Sequence, residues 1–448
     1  MPATTDSPNV IVILTDDQGY GDLSCMGSED IRTPHMDALA ASGVRFTDWY
    51  ANGPVCSPTR ASLLTGRYPG NAGVRSILQG HRRATGLFPE VPTFARALKQ
   101  RGYRTAMFGK WHLGLADGCR PNDHGFDEFV GFLAGCVDYY SHIFYWSRSH
   151  DPLHDLWHNR EELWRNGDYM TELITSEAVR CIRAAARQGS PFCLYVAYNA
   201  PHYPMHAPAE YMDRFTHLPW DRRVMAAMLS CVDDGVGRIR AELERQGAAE
   251  NTIITFQSDN GPSRESRNWL DGTVDPYYGG SSGGFRGHKF SLFEGGVRVP
   301  GIVSYPATIP AGQVCSTPGA SMDVFPTILE AAGGNPGDYE LDGVSLLGHL
   351  RGEAPPSRDL FFEQGDQTAV RRGDWKLTLN GRPEEGAGPI DDVFLADLVA
   401  DPGERTNLAA TRRDVRDALQ AAAQTWRAGL EERWENRWRP RHDANLLT

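Results

Sequence analysis

Paired cysteines are missing from this chain. Eight cysteines stand at positions 25, 56, 119, 136, 181, 193, 231 and 315, and no two form a Cys-x-x-Cys unit. That spacing argues against a zinc ribbon or a dithiol redox centre. An excess of basic side chains is missing too: 45 Lys and Arg face 57 Asp and Glu, a net charge of −12. A nucleic-acid partner needs a basic stripe or patch and is not expected. An anionic small substrate remains open, because a few nearby cations outweigh a distant acidic surface. No apolar run approaches the roughly 20 residues that span a bilayer, so no membrane partner is expected. Residues 1–9 lack a charged-then-apolar leader. The expectation is a cytoplasmic protein without a disulfide framework. Internal repeats are also absent.

What is present is ordinary globular composition, 40% hydrophobic and 23% charged over 448 residues. That length suits one large domain with a smaller one attached. Val10–Leu14 is a continuous β-branched run, as a strand covered on both faces would be. Residues 105–108, 192–198, 252–256 and 301–305 are similar. Between them, Ile174, Ala178, Cys181, Ile182 and Ala185 share a helical face, as do Met225, Met228, Leu229, Val232, Val236, Ile239 and Leu243. Cys181, Cys193 and Cys231 fall on such elements and read as core packing. The alternation predicts an α/β fold, with a large, mainly parallel mixed sheet flanked by helices over residues 1–350. After a Pro-rich, acidic stretch at 352–357, short strands are predicted at 360–362, 369–371, 375–379 and 393–395, then a helix over 413–433. Residues 351–448 are thus expected to form a small antiparallel α+β subdomain. The Gly279–Gly284 stretch, GGSSGG, is expected to be a flexible loop.

Polar residues follow the strands. Asp16 and Asp17 come after the first, Lys110 and His112 after 105–108, His202 after 192–198, and Asp259 with Asn260 after 252–256. In an open parallel sheet the C-terminal strand ends share one edge, where ligands bind, so these residues are expected to converge. Asp16, Asp17, Asp259 and Asn260 offer oxygen donors suited to calcium or magnesium rather than zinc. Lys110 and His112, two apart in an extended segment, would face the same side. Cys56 lies in Val-Cys-Ser-Pro-Thr-Arg-Ala-Ser-Leu-Leu-Thr-Gly-Arg, residues 55–67. Ser57 would cap a helix with Pro58 at its first position, and Gly66 would end it. Cys56 would then sit at the positive helix end near Arg60, where an anion is favoured.

This stretch resembles the signature of the sulfatase family, Cys-x-Pro-x-Arg followed by Ala-Ser-Leu-Leu-Thr-Gly-Arg. A second family signature is matched by Gly102-Tyr103-Arg104-Thr105-Ala106-Met107-Phe108-Gly109-Lys110-Trp111-His112. The likeness continues, in the family's order, through Asn199–His202, Ser258–Gly261, Gly287–Lys289 and Glu294–Pro300. It implies that Cys56 is oxidised by a formylglycine-generating enzyme to Cα-formylglycine, an aldehyde that hydrates to a geminal diol. It implies a calcium ion, with magnesium as the alternative, held by Asp16, Asp17, residue 56, Asp259 and Asn260. Arg60 would hold the diol, and Lys110 and Lys289 would bind sulfate oxygens. One diol hydroxyl would attack sulfur while His202, aided by Lys289, protonates the departing alcohol. His112 would then take the proton of the second hydroxyl, so that the aldehyde re-forms and sulfate leaves. An ordinary serine would remain trapped as its sulfate ester.

The segments Gly125–Gly131, Asp138–His142 and Leu163–Gly167 resemble the arylsulfatase B, N-acetylgalactosamine-4-sulfatase-like branch. The substrate is expected to be an aryl or carbohydrate sulfate. Tyr140, His142, Trp146, Trp269, Tyr277 and Tyr278 are candidates to line its pocket, Tyr140 and His142 as substrate-binding residues. His288 stands where many relatives have glycine. Rival readings are a sulfamidase, a phosphodiester or phosphonate monoester hydrolase using the same site, a non-catalytic binder of sulfated glycans, and an unmodified thiolate hydrolase.

Overall fold

The computed structural model describes residues 7–145, 152–267 and 273–446. Its centre is a seven-strand platform: β1 (Asn9–Thr15), β2 (Val44–Tyr50), β3 (Arg104–Lys110), β4 (Glu128–Phe132), β5 (Phe192–Ala197), β6 (Thr252–Ser258) and β7 (Arg298–Ser304). They lie in the order β2-β7-β6-β1-β5-β3-β4, with short strands added at both edges. Strands β6, β1, β5, β3 and β4 are mutually parallel. Val10–Leu14 is fully buried, which accounts for the unbroken apolar run.

The α/β expectation holds, with two differences of detail. Strand β7 is antiparallel to both neighbours, β6 and β2. A strand buried on both faces reads as the same apolar run in either direction, so the pattern does not carry direction. The helix expected to start at Pro58 is α1 (Cys56–Thr65), which begins two residues earlier. Val55 occupies the cap position without a side-chain bond, and the Ser57 hydroxyl instead accepts from the Leu78 amide at 3.2 Å. Gly66 closes the helix at φ 67°, its amide donating to Ser62, a conformation glycine adopts at low cost.

Of two long amphipathic helices, α2 (Met170–Gln188) packs on β3 and β5 and α3 (Trp220–Arg245) packs on α2, and both bury their predicted faces. The second sheet is an antiparallel meander of β8 (Leu360–Gln364), β9 (Gln367–Arg372), β10 (Trp375–Leu379) and β11 (Val393–Asp397). Helix α4 (Arg413–Arg433) covers it through Leu419 and Ala423, against Val370, Leu377 and Leu395. Beyond α4 the chain returns to the large sheet's side. Trp438 is fully buried and stacks on Phe88, and the His442 Nε2 lies 3.0 Å from the Gly73 carbonyl.

Buried charges join the two sheets. Lys376 Nζ lies 2.7 Å from Glu294, which also meets the Tyr50 hydroxyl at 2.7 Å and Arg298 at 3.2 Å. Arg298 and Arg371 share Asp48 at 3.0 and 2.6 Å. The Gly279–Gly284 loop is pinned rather than free. Ser281 accepts from the Gly21 amide, and its own amide donates to the Asp22 carboxylate.

Candidate active site

The parallel register sets the C-terminal ends of three strands side by side. Thr15 pairs with Ser258, and Leu14 with Ala197. The chain therefore leaves β1 and β6 as neighbours, and the Asp17 amide donates to Asp259 Oδ1 at 3.1 Å. Asp17 has φ 61° and His112 φ 54°, left-handed values that non-glycine residues rarely hold outside constrained sites.

Nine of the expected residues form one buried, connected cluster. The Cys56 thiol lies 3.4 Å from Asp16 Oδ1, and Lys110 Nζ 2.5 Å from Asp16 Oδ2. Arg60 donates to Asp259 Oδ2 from Nε and a terminal nitrogen at 3.1 and 2.8 Å, and to the Lys110 carbonyl at 2.9 Å. Lys289 Nζ lies 2.8 Å from Asp17 Oδ2, with His202 Nε2 at 3.6 Å from the same oxygen. Asn260 donates to Asp17 Oδ1 at 2.7 Å.

Charge sets the protonation states. Burial opposes ionisation of Asp17, but the Lys289 ammonium, with His202 and Lys110, holds its carboxyl down at about 2. Burial and the Asp16 charge push Asp259 up to about 7, against the pull of Arg60 and Lys110. Burial and the Lys289 charge bring His202 down to about 4. His112 is held well below its usual range by burial, then Lys110 and Arg60. Its Nε2 lies 3.1 Å from the Leu78 carbonyl. The Cys56 thiol was expected to be favoured as an anion by its helix end and Arg60. Burial and the facing Asp16 carboxylate instead push its titration up.

Part of the cluster could hold a metal ion. One ligand atom each from Asp16, Asp17, Cys56 and His202 lies within 4.8 Å of the others. Asn260 Oδ1 is buried and has no hydrogen-bond partner among the described residues, so an oxygen is left for an ion.

The pocket candidates divide. Tyr277 lines a cavity that it shares with Tyr203, the residue after His202. Tyr140 packs on the Tyr169 and His206 rings at 5.2 and 6.2 Å. His142 is fully buried, with Nε2 3.1 Å from the Asp168 carbonyl. That places its ring in the packing of its loop rather than on the cavity wall. Tyr278 is exposed beneath Arg264. Trp146 and Trp269 lie outside the described residues.

Two supporting residues have no motif to announce them. Asp155 is buried and accepts from the Leu133 and Ala134 amides and the Trp157 indole, and the Leu133 carbonyl in turn holds the His112 amide. Gly135 lies so close to His112 that a methyl group there would stand 2.7 Å from Cε1.

The family model described as Sulfatase matches residues 8–334. The chain belongs to the sulfatase family. Arylsulfatase J of Mus musculus is 37% identical over 91% of this chain and 74% of its own length. N-acetylgalactosamine-6-sulfatase of the same species is 32% identical over 93% of this chain and 85% of its own. Among solved structures, Ps i-CgsB in complex with k-i-k-neocarrahexaose is 30% identical, with a TM-score of 0.84 over 96% of this chain and 94% of that one. This sulfatase is a sulfuric ester hydrolase. No described helix is long and apolar enough to cross a membrane.

Proposed function

We propose that this sulfatase hydrolyses an aryl or carbohydrate sulfate ester, using Cys56 matured to formylglycine beside a calcium ion. The observation that carries the proposal is the convergence of the Cys56 thiol, Asp16, Lys110, Arg60 and Asp259 in one buried cluster. Asp16, Asp17, Asp259, Asn260 and residue 56 would hold the cation, which would lower the pKa of a bound hydroxyl and screen the carboxylates. The aldehyde hydrate would supply one hydroxyl for attack on sulfur and a second for release of sulfate. A formylglycine-generating enzyme would be the maturation partner.

The remaining work falls to side chains already in place. Lys110 and Lys289 pair with Asp16 and Asp17. Three acids and three bases leave the cluster near neutrality; a divalent cation and a singly anionic ester would together add one positive charge, which loss of a proton from the hydroxyl on residue 56 would offset. With those acids holding a cation, Lys110 and Lys289 would be released to bind sulfate oxygens. Arg60, with three donors committed, orients Asp259 and residue 56. His202, in its protonated form, would deliver a proton to the leaving oxygen, and His112 would remove one from residue 56.

Mass spectrometry of the peptide containing residue 56 tests maturation, since the aldehyde is lighter than the thiol. Turnover of 4-nitrophenyl sulfate by parent and Cys56→Ala protein tests the nucleophile. The variant should fold and be inactive. Normal turnover by it refutes the assignment.

A further inference from the structure

A cavity of about 520 Å³ borders the segment that directly follows His202. Tyr203 and His206, next along the chain from His202, form one wall. Asp138 and Tyr145 form a second, and Asp275 and Tyr277 a third. The Tyr139 hydroxyl ties these walls to the site, lying 2.8 and 3.0 Å from the Asn199 and His202 carbonyl oxygens. The volume lies within the range of about 300–1,000 Å³ typical of small-molecule sites and suits one substituted ring.

The lining is chemically one-sided. Aromatic rings on all three walls offer faces for a sugar ring or a second aromatic ring. Among the described residues, no lysine or arginine lines the cavity, whereas two carboxylates do. Asp138 is fixed by the Tyr140 and Ser141 amides at 3.0 and 2.7 Å, with His206 Nδ1 at 3.3 Å. Asp275 is exposed.

We infer that this cavity receives the leaving group and selects a single ring without a second negative charge: an aryl or sugar monosulfate that is otherwise neutral or cationic. The inference rests on the hydrolase reading above and adds its specificity. A carboxylate or second sulfate on that ring would face Asp138 and Asp275, and among the described residues no lysine or arginine of the lining offsets them. An ammonium would meet two carboxylates and several ring faces.

The test compares phenyl sulfate with 3-carboxyphenyl sulfate, whose leaving phenols differ little in acidity, on the matured protein. The expected result is a kcat/KM roughly tenfold or more lower for the carboxylated ester, mainly through KM and narrowing with added salt. Asp275→Asn should shrink the gap, and Asp275→Lys should shrink it further or reverse it. Equal efficiency on both esters, or a gap that neither variant alters, overturns the inference. If the matured protein hydrolyses none of these esters, nor 4-nitrophenyl sulfate, the hydrolase reading itself fails and the cavity's role falls with it.

Discussion

Replacing Lys376 with methionine removes the one cation shared by two buried acids. Lys376 Nζ lies 2.7 Å from Glu294 and 3.4 Å from Glu404, with the lysine and Glu294 side chains fully buried. Burial works against Glu294, but Lys376, Arg298 and Arg371 hold it down at about 2. Burial pushes Glu404 up to about 7, helped by the Glu294 charge and opposed by Lys376. Near pH 5 the trio is one ammonium, one carboxylate and one neutral acid. Breaking such a buried pair from one side costs about 3–5 kcal/mol. At about 2.1 cal/mol/K per residue, unfolding a chain of 448 residues carries roughly 0.9 kcal/mol/K of entropy. The melting midpoint should therefore fall by about 3–5 °C. The sign with pH follows from Glu404, whose folded pKa stands above its reference value of 4.5. The stability it contributes is complete below that value and is lost as pH rises through about 7. The lysine variant should suffer more at pH 8 than at pH 5, because two carboxylates then face each other without their ammonium. Glu404→Gln keeps the neutral form and should flatten the parent's decline between those pH values. Scanning calorimetry of the three proteins at pH 5 and 8 decides the matter. A methionine variant melting with the parent at both pH values refutes the reasoning, as does a glutamine variant whose decline parallels the parent's.

Other perturbations address the site directly. Arg60→Lys keeps the charge but offers one direction in place of the three bonds to Asp259 and Lys110. At about 1.5–3 kcal/mol per charged bond, two lost bonds should cost roughly 3–6 kcal/mol, read as a lowered melting midpoint together with a fall in kcat/KM. An unchanged midpoint would count against the guanidinium's positioning role. Asp259→Ala should lose both bound calcium and turnover, and stoichiometric calcium by titration calorimetry would contradict the ligand assignment. Gly135→Ala should push the His112 ring from its place and lower kcat by about tenfold or more with less change in KM. Parent-like kcat would show that the ring's position does not matter.

Which features could be read from the chain depended on whether their cause was local. The run Val10–Leu14 declares a strand because both its faces are covered, and Asp16 and Asp17 follow from being next in line. A parallel sheet then does the rest, since it brings Asp259, His202 and Lys110 to the same edge whatever the intervening loops contain. Strand β7 shows the limit, because hydropathy is blind to direction. The start of α1 shows another, since Ser57 had a tertiary partner in the Leu78 amide that outcompeted its capping role.

The charges joining the two sheets were hidden for a different reason. Asp48, Glu294, Arg298, Arg371, Lys376 and Glu404 are scattered over more than 350 positions, and each alone reads as a solvated side chain. Only the docking of the β8–β11 meander on the large sheet removes them from water, and it does so next to the catalytic cluster. Glu294 opens the turn Glu294–Val297, where the Gly296 carbonyl holds the Gly261 amide at 3.0 Å, one residue past Asn260. Lys289, five residues earlier, is held by its own amide on the Pro262 carbonyl at 3.0 Å. The small sheet thus braces the segment that presents both Asn260 and Lys289. If that bracing matters, Lys376→Met should lower kcat/KM below the melting transition, where the variant is still folded. A variant that is less stable yet fully active at 25 °C would confine the charge network to stability alone.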